Sequence, residues 1–333
     1  GVINMNNFKK IGLSALAGSL VAMSAQAGDM SVTGSSAIYI ANSDENAKTG
    51  YSMSDSVTFS GSTELDNGLT YSFSLELDGD AQSAKVDPAA ASATATGSNV
   101  VDSHSIKLSS DSFGTLTFAG HGGTGVLDAW DDVTPNAYEE SWDVVSGADA
   151  SRVNGTTADN SWGYVSPSFS GATLRASYYT PSSGNASTYT DIGISISPEM
   201  VEGLTVGAAW GTSEATAGTE MDESTFYIKY AYGPVTVGYQ ESEIDAPTST
   251  DSDESQMFGI SYAVTDSFSI AYNESSFDLG STTTDQESDG ISASYTMGGI
   301  TVAGAMNSTD NIAGSTATTA DKDAYEMSIS FAF

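Results

Sequence analysis

The sequence predicts an all-β fold: a transmembrane, antiparallel, up-and-down β-barrel of 16 strands, with short turns at one end and long loops at the other. Three observations carry that reading. Apolar and polar residues alternate with period two along most of the chain, which sends them to opposite faces of extended strands. The connections alternate too, tight turns against long polar stretches. No apolar run reaches the roughly 18 residues that a membrane-crossing helix needs, so the apolar residues are distributed rather than concentrated.

Composition narrows the classes further. Among 333 residues, 43 Asp and Glu stand against nine Lys and Arg, a formal charge of −34. Nucleic-acid binding is excluded, because neutralising phosphates needs a basic surface. The absence of Cys excludes a disulfide scaffold or a Cys-ligated zinc module. Aromatic residues make up 10%, too many for an acidic disordered chain.

The first element is a leader. Met5 to Lys10 carries two lysines, Ile11 to Met23 is apolar and small, and Ala25-Gln26-Ala27 has the A-x-A form. A basic start, an apolar run of about 7–15 residues and a small-residue site define a secretory signal peptide. Residues 1–27 are expected to be removed after Ala27, leaving the barrel over 28–333. Seven bases against 43 acids then remain, a charge of −36. The protein is therefore expected to be exported.

The strands follow. In Leu69-Thr70-Tyr71-Ser72-Phe73-Ser74-Leu75-Glu76-Leu77 every odd position is apolar. Phe226, Ile228 and Tyr230 alternate in the same way, as do Phe268, Ile270 and Tyr272. At the C-terminus Tyr325, Met327, Ile329, Phe331 and Phe333 share a face. Seven tight turns lie at Asp66 to Gly68, Asp111 to Gly114, Pro167 to Gly171, Glu199 to Gly203, Tyr232 to Pro234, Thr265 to Ser267 and Met297 to Gly299. Eight long polar stretches lie near 42–55, 80–101, 121–160, 180–189, 214–223, 244–254, 278–288 and 308–321. Fifteen connections join 16 strands, and an even count puts every long loop at one end. Bacterial outer-membrane barrels have this asymmetry. The polar faces are built from Ser, Thr, Gly and Ala, small residues suited to an aqueous bore. Aromatics such as Tyr71, Trp210, Tyr232, Tyr262, Tyr295 and Phe333 sit near strand ends, as in interfacial girdles. A barrel of 16 strands is wide enough to leave a channel.

Three segments resemble the trimeric, 16-stranded general diffusion porins of Gram-negative outer membranes. They are VTFSGSTELDNGLTYSFSLE (Val57 to Glu76), GYVSPSFSGATLRASYY (Gly163 to Tyr179) and the terminal strand ending in Phe333. The resemblance implies a homotrimer in outer-membrane lipid that passes small hydrophilic solutes passively. It also implies that Phe333 is the signal read by the barrel-assembly machinery. In that family the third long loop folds inward and narrows the bore. The matching stretch, 121–160, carries Asp128, Asp131, Asp132, Glu139, Glu140, Asp143, Asp149 and Asp159 against Arg152 alone. Carboxylates in a narrow passage attract cations and repel anions.

The family also sets arginines on the wall opposite that loop. Strand parity sends Lys107, Arg175 and Lys229 inward, with acidic Glu64, Glu76 and Glu326. These bases are either a thinned basic cluster or isolated lumen charges. Their scarcity predicts cation selectivity. Tyr39, Tyr179 and Tyr227 are the aromatics read as pointing inward, too few for the track of a substrate-specific channel, which is the first alternative. A non-conducting structural or adhesive surface β protein is the second.

Other motifs weaken on inspection. Gly120 to Gly125 fits G-x-G-x-x-G, but no parallel βαβ unit accompanies it; the glycines read as a flexible exit for the inward loop. Asp102, Ser103 and His104 are adjacent on a strand and point to opposite faces, so they form no triad. His104 and His121 read as strand-end residues rather than metal ligands. Enzymatic function has no support, and no cofactor is required. Acidic loops offer oxygen ligands for Ca2+ or Mg2+, with Asp128, Asp131 and Asp132 as the candidate set.

Overall fold

A computed structural model describes residues 29–43, 49–78, 100–148, 153, 155, 158–181, 188–214, 220–246 and 252–333. The expected leader, the Ala/Ser-rich stretch 81–99, Asp149 and Arg152 lie outside the described residues. The strands are β1 (Asp29–Ser43), β2 (Gly50–Glu64), β3 (Thr70–Asp78), β4 (Val101–Ser110), β5 (Gly114–His121), β6 (Ser161–Val165), β7 (Ala172–Tyr179) and β8 (Thr188–Ile196). The second half holds β9 (Leu204–Glu214), β10 (Glu220–Tyr232), β11 (Val235–Asp245), β12 (Asp253–Thr265), β13 (Phe268–Leu279), β14 (Gln286–Met297), β15 (Ile300–Asp310) and β16 (Lys322–Ala332).

Each strand pairs antiparallel with its chain neighbours, and β1 closes on β16, giving one barrel of 16 strands. Closure leaves no sheet edge, which is what lets a sheet cross a bilayer with every ladder bond made. The seven tight turns fall where the sequence places them. Between β2 and β3, for example, Leu69 N–H donates to Asn67 Oδ1 at 3.1 Å, and Gly68 supplies the left-handed φ of 80°. Several of the long connections are shorter than expected. β2 already starts at Gly50, β10 at Glu220, and β13 and β14 enclose only 280–285. These strands continue above the apolar band, where water wets both faces. There the period-two signal fades while the backbone ladder persists.

The faces sort as read. Phe226, Ile228, Tyr230, Ile270, Tyr272, Tyr325, Met327 and Phe331 are exposed on the outside. Between them Thr225, Ser275, Asn273, Ser328 and Ser330 are buried inside. At the seam, Gly34 and Phe333 exchange both backbone bonds, at 2.8 and 2.9 Å. A Cβ on Gly34 would lie 2.5 Å from the Phe333 ring, so glycine makes the niche that the terminal aromatic covers.

Candidate functional site

The loop between β5 and β6 enters the barrel and runs along the inner wall, held by side chains of successive strands. Asp191 of β8 accepts the Val126 and Leu127 N–H groups at 2.7 and 3.0 Å, and also the Ser177 hydroxyl of β7. Gln240 of β11 accepts the Val133 N–H at 2.7 Å, while its amide donates to the Trp130 and Asp131 carbonyls at 2.7 and 3.1 Å. Asn273 of β13 donates to the Pro135 carbonyl at 2.8 Å. Ser292 of β14 accepts the Ala137 N–H at 3.1 Å, and Asn307 of β15 donates to the Glu140 carbonyl at 2.5 Å. The Tyr138 hydroxyl donates to Glu326 of β16 at 2.5 Å. Burial, followed by the nearby Glu326 and Glu139 charges, raises the Tyr138 hydroxyl above the ordinary phenol range. It therefore stays a proton donor at every physiological pH. Lys322 of β16 donates to the Ser146 carbonyl at 3.1 Å.

Apolar contacts do the rest. Val126, Leu127, Trp130 and Val133 pack with Tyr189, Ala209 and Tyr227 of the wall. Trp142 packs on Met257 and Phe277, and Val145 on Ile312, Ala320 and Ala324. Inward glycines make room: a Cβ on Gly193 would fall 2.5 Å from the Trp130 ring, and one on Gly238 would fall 2.5 Å from Pro135.

The loop thus occupies the β8–β16 side and leaves a cavity of about 750 Å³ on the other. Ser35, Thr58, Ser74, Ser105 and Thr117 line that cavity from the wall, with loop residues Gly122 to Val126 and Ala129 opposite. Among the described residues, Glu76, Lys107 and Arg175 are the charged ones on its surface. Arg175 lies over the Trp130 ring at 5.7 Å; Trp130 meets Tyr227 edge-on at 5.4 Å; Lys229 lies over Tyr227 at 5.4 Å. Lys229 is only 8% exposed and does not line the cavity. Glu326 is committed to Tyr138. Glu64 stands exposed at the short-turn end of β2.

Asp128, Asp131, Asp132, Glu139 and Asp143 of the loop are half-buried and Glu140 is buried. None of the six lines the cavity. Among the described residues, Glu139, Glu140 and Asp143 are the carboxylates that gather within 4.8 Å, and Asp128, Asp131 and Asp132 do not form such a group. Sequence reasoning passed over the wall anchors Asp191, Gln240, Asn273 and Asn307. Their signal was present, since each is a carboxylate or amide at an inward position of a wall built mostly from small residues. It also undercounted inward aromatics: Tyr189, inside a stretch read as loop, and Phe277, next to one, point inward as well. The run Gly122–Gly123 differs from a flexible exit. A Cβ on Gly123 would lie 1.9 Å from Ser161 Oγ and 2.6 Å from the Ala158 carbonyl, so these glycines mark the tight crossing of the two loop ends.

A family profile described as Gram-negative porin matches residues 12–333. The chain belongs to that family. Solved structures agree on the fold. An anion-selective porin from Comamonas acidovorans superposes with a TM-score of 0.69 at 16% identity, covering 91% of this porin and 99% of that chain. OmpT, an outer membrane protein of Vibrio cholerae, gives 0.68 at 12% identity, covering 94% and 100%. A triple mutant of the Rhodopseudomonas blastica porin gives 0.65 at 17% identity, covering 91% and 100%. Curated proteins provide no match. The porin is accordingly an outer-membrane channel protein, of a family and fold that are not enzymatic.

Proposed function

We propose that this porin passes small hydrophilic solutes and ions by passive diffusion through the bore that its inward loop narrows. The observation that carries the reading is the cavity between the docked loop and the β1–β7 wall, whose lining includes many hydroxyls and the charged Glu76, Lys107 and Arg175. Three of the inward aromatics, Tyr189, Tyr227 and Phe277, are consumed in packing the loop rather than left to line a solute track.

Ion preference follows from two opposed fields. The formal charge of −34 and the carboxylates of the loop favour cations, and that is the selectivity we propose. One observation favours anions instead: at the cavity itself the two bases Lys107 and Arg175 outnumber the one acid, Glu76. Charges that line a constriction act at close range, where screening is least. The reversal potential across a bilayer in a salt gradient decides. Cation permeability above anion permeability supports the proposal, and the reverse sinks it. In either case Arg175→Gln shifts the potential toward cations.

The homotrimer is proposed on the outer face. Asp55 of β2 pairs with Ser36 of β1 at positions that point outward, with the apolar Met53 and Val57 flanking Asp55 along its strand. A carboxylate against lipid is destabilising in a depth-dependent way, and a neighbouring copy would remove it from lipid. Assembly through Phe333, removal of residues 1–27, and Ca2+ or Mg2+ at loop carboxylates complete the reading.

A further inference from the structure

Both histidines of the chain meet at one place outside the bore. His104 of β4 and His121 of β5 are direct ladder partners. The register slips between His104 and Ser105, so Gly120 is the extra residue of a bulge. Directly opposed residues share a face, with Cβ atoms about 4.5–5.5 Å apart. The bulge sets how the rings sit. A Cβ on Gly120 would fall 2.2 Å from His104 Nε2, so the His104 imidazole lies across the bare backbone of β5 beside the residue that precedes His121. His121 Nδ1 is 2.6 Å from Asp159 Oδ1. Both rings and Asp159 border one surface pocket of about 510 Å³, whose other walls are Phe73, Leu75, Val100 and Val101.

We propose that His104 and His121 bind a divalent first-row transition ion of the zinc type, with Asp159 orienting the His121 ring. Three pieces of chemistry point there. Neutral imidazole is the nitrogen ligand that such ions prefer, whereas Ca2+ and Mg2+ take oxygen. A carboxylate on one ring nitrogen fixes the tautomer and leaves the other nitrogen as the ligand. His104 and Asp159 are exposed and His121 is half-buried at the long-loop end of the barrel, so water can complete the coordination of a bound ion. The ion's place gives it an effect on the channel. His121 opens the inward loop and Asp159 lies next to its end, so the site clasps the two ends of that loop to β4.

The test titrates the full-length porin, folded in detergent, with Zn2+ in the presence of excess Mg2+, which occupies the carboxylates. One Zn2+ per chain is expected. His104→Ala and His121→Ala are each expected to abolish the saturable phase, together with the visible bands of bound Co2+. Asp159→Asn should weaken binding about 10-fold. Gly120→Ala keeps both imidazoles but displaces the His104 ring, and should weaken binding as well. Folding of each variant is read separately from its mobility shift on boiling. Equal Zn2+ binding by the wild type and the double His variant overturns the site. Wild-type affinity in Asp159→Asn overturns the role of the carboxylate.

Discussion

Asp191 shows how much one side chain can govern in this barrel. It is 1% exposed and receives two loop N–H groups and a wall hydroxyl, so a single carboxylate fastens the entry of the inward loop. Hydrogen bonds to a charged group contribute about 1.5–3 kcal/mol each, and a residue that cannot accept them leaves the Val126 and Leu127 donors unsatisfied inside the bore. Asp191→Ala is therefore expected to release the first leg of the loop, raising single-channel conductance and its noise while the boiling-dependent gel shift remains. Unchanged conductance would show that Gln240 and the Trp130 contacts suffice. The parity of Asp191 was readable in the sequence, as was that of Lys107 and Arg175. Its partners were not, because they lie 64 and 65 residues away in the chain and meet it only after the loop folds inward.

At the scale of elements, the loop and the wall divide the work. The strands were legible almost throughout: period two names their faces, and turn chemistry at Asn67-Gly68 or Gly233-Pro234 names their short ends. The loop was legible only as an acidic stretch. Its fold depends on Val126, Leu127, Trp130 and Trp142, apolar residues without periodicity, and on wall glycines whose role appears only against the loop. Small inward residues consequently have two meanings. On β1 to β7 they keep the cavity open; on β8 to β12 they admit the loop. If the loop is docked as described, tethering it changes nothing. The chain has no Cys, so Ala137→Cys with Ser292→Cys, at a pair now bonded at 3.1 Å, introduces a single disulfide. Conductance is expected to be the same oxidised and reduced. A drop on oxidation would mean that the loop samples positions farther from β14.

For the whole molecule, closure is the property to measure. A barrel whose ladder has no edge resists detergent until heated, so unboiled protein is expected to migrate differently from boiled protein on SDS gels. Cross-linking followed by unboiled electrophoresis should give a three-subunit band, and Asp55→Leu should leave the monomer barrel intact. A single-subunit band in native detergent would refute the trimer. Sequence reading reached this scale well, because strand count and loop asymmetry are summed over the entire chain. It stopped at ion preference, where the net charge and the charges lining the cavity point in opposite directions.

The seam between Gly34 and Phe333 has a consequence for how the protein is made. The two residues that finish the ring are almost the whole chain apart, so the ring cannot be completed while strands are still arriving. Until the last residue is delivered, β1 presents an unpaired edge that would readily take another chain as partner. An exported chain kept apart from its siblings for that interval would avoid such pairing, because the β1 edge is covered only once β16 has docked.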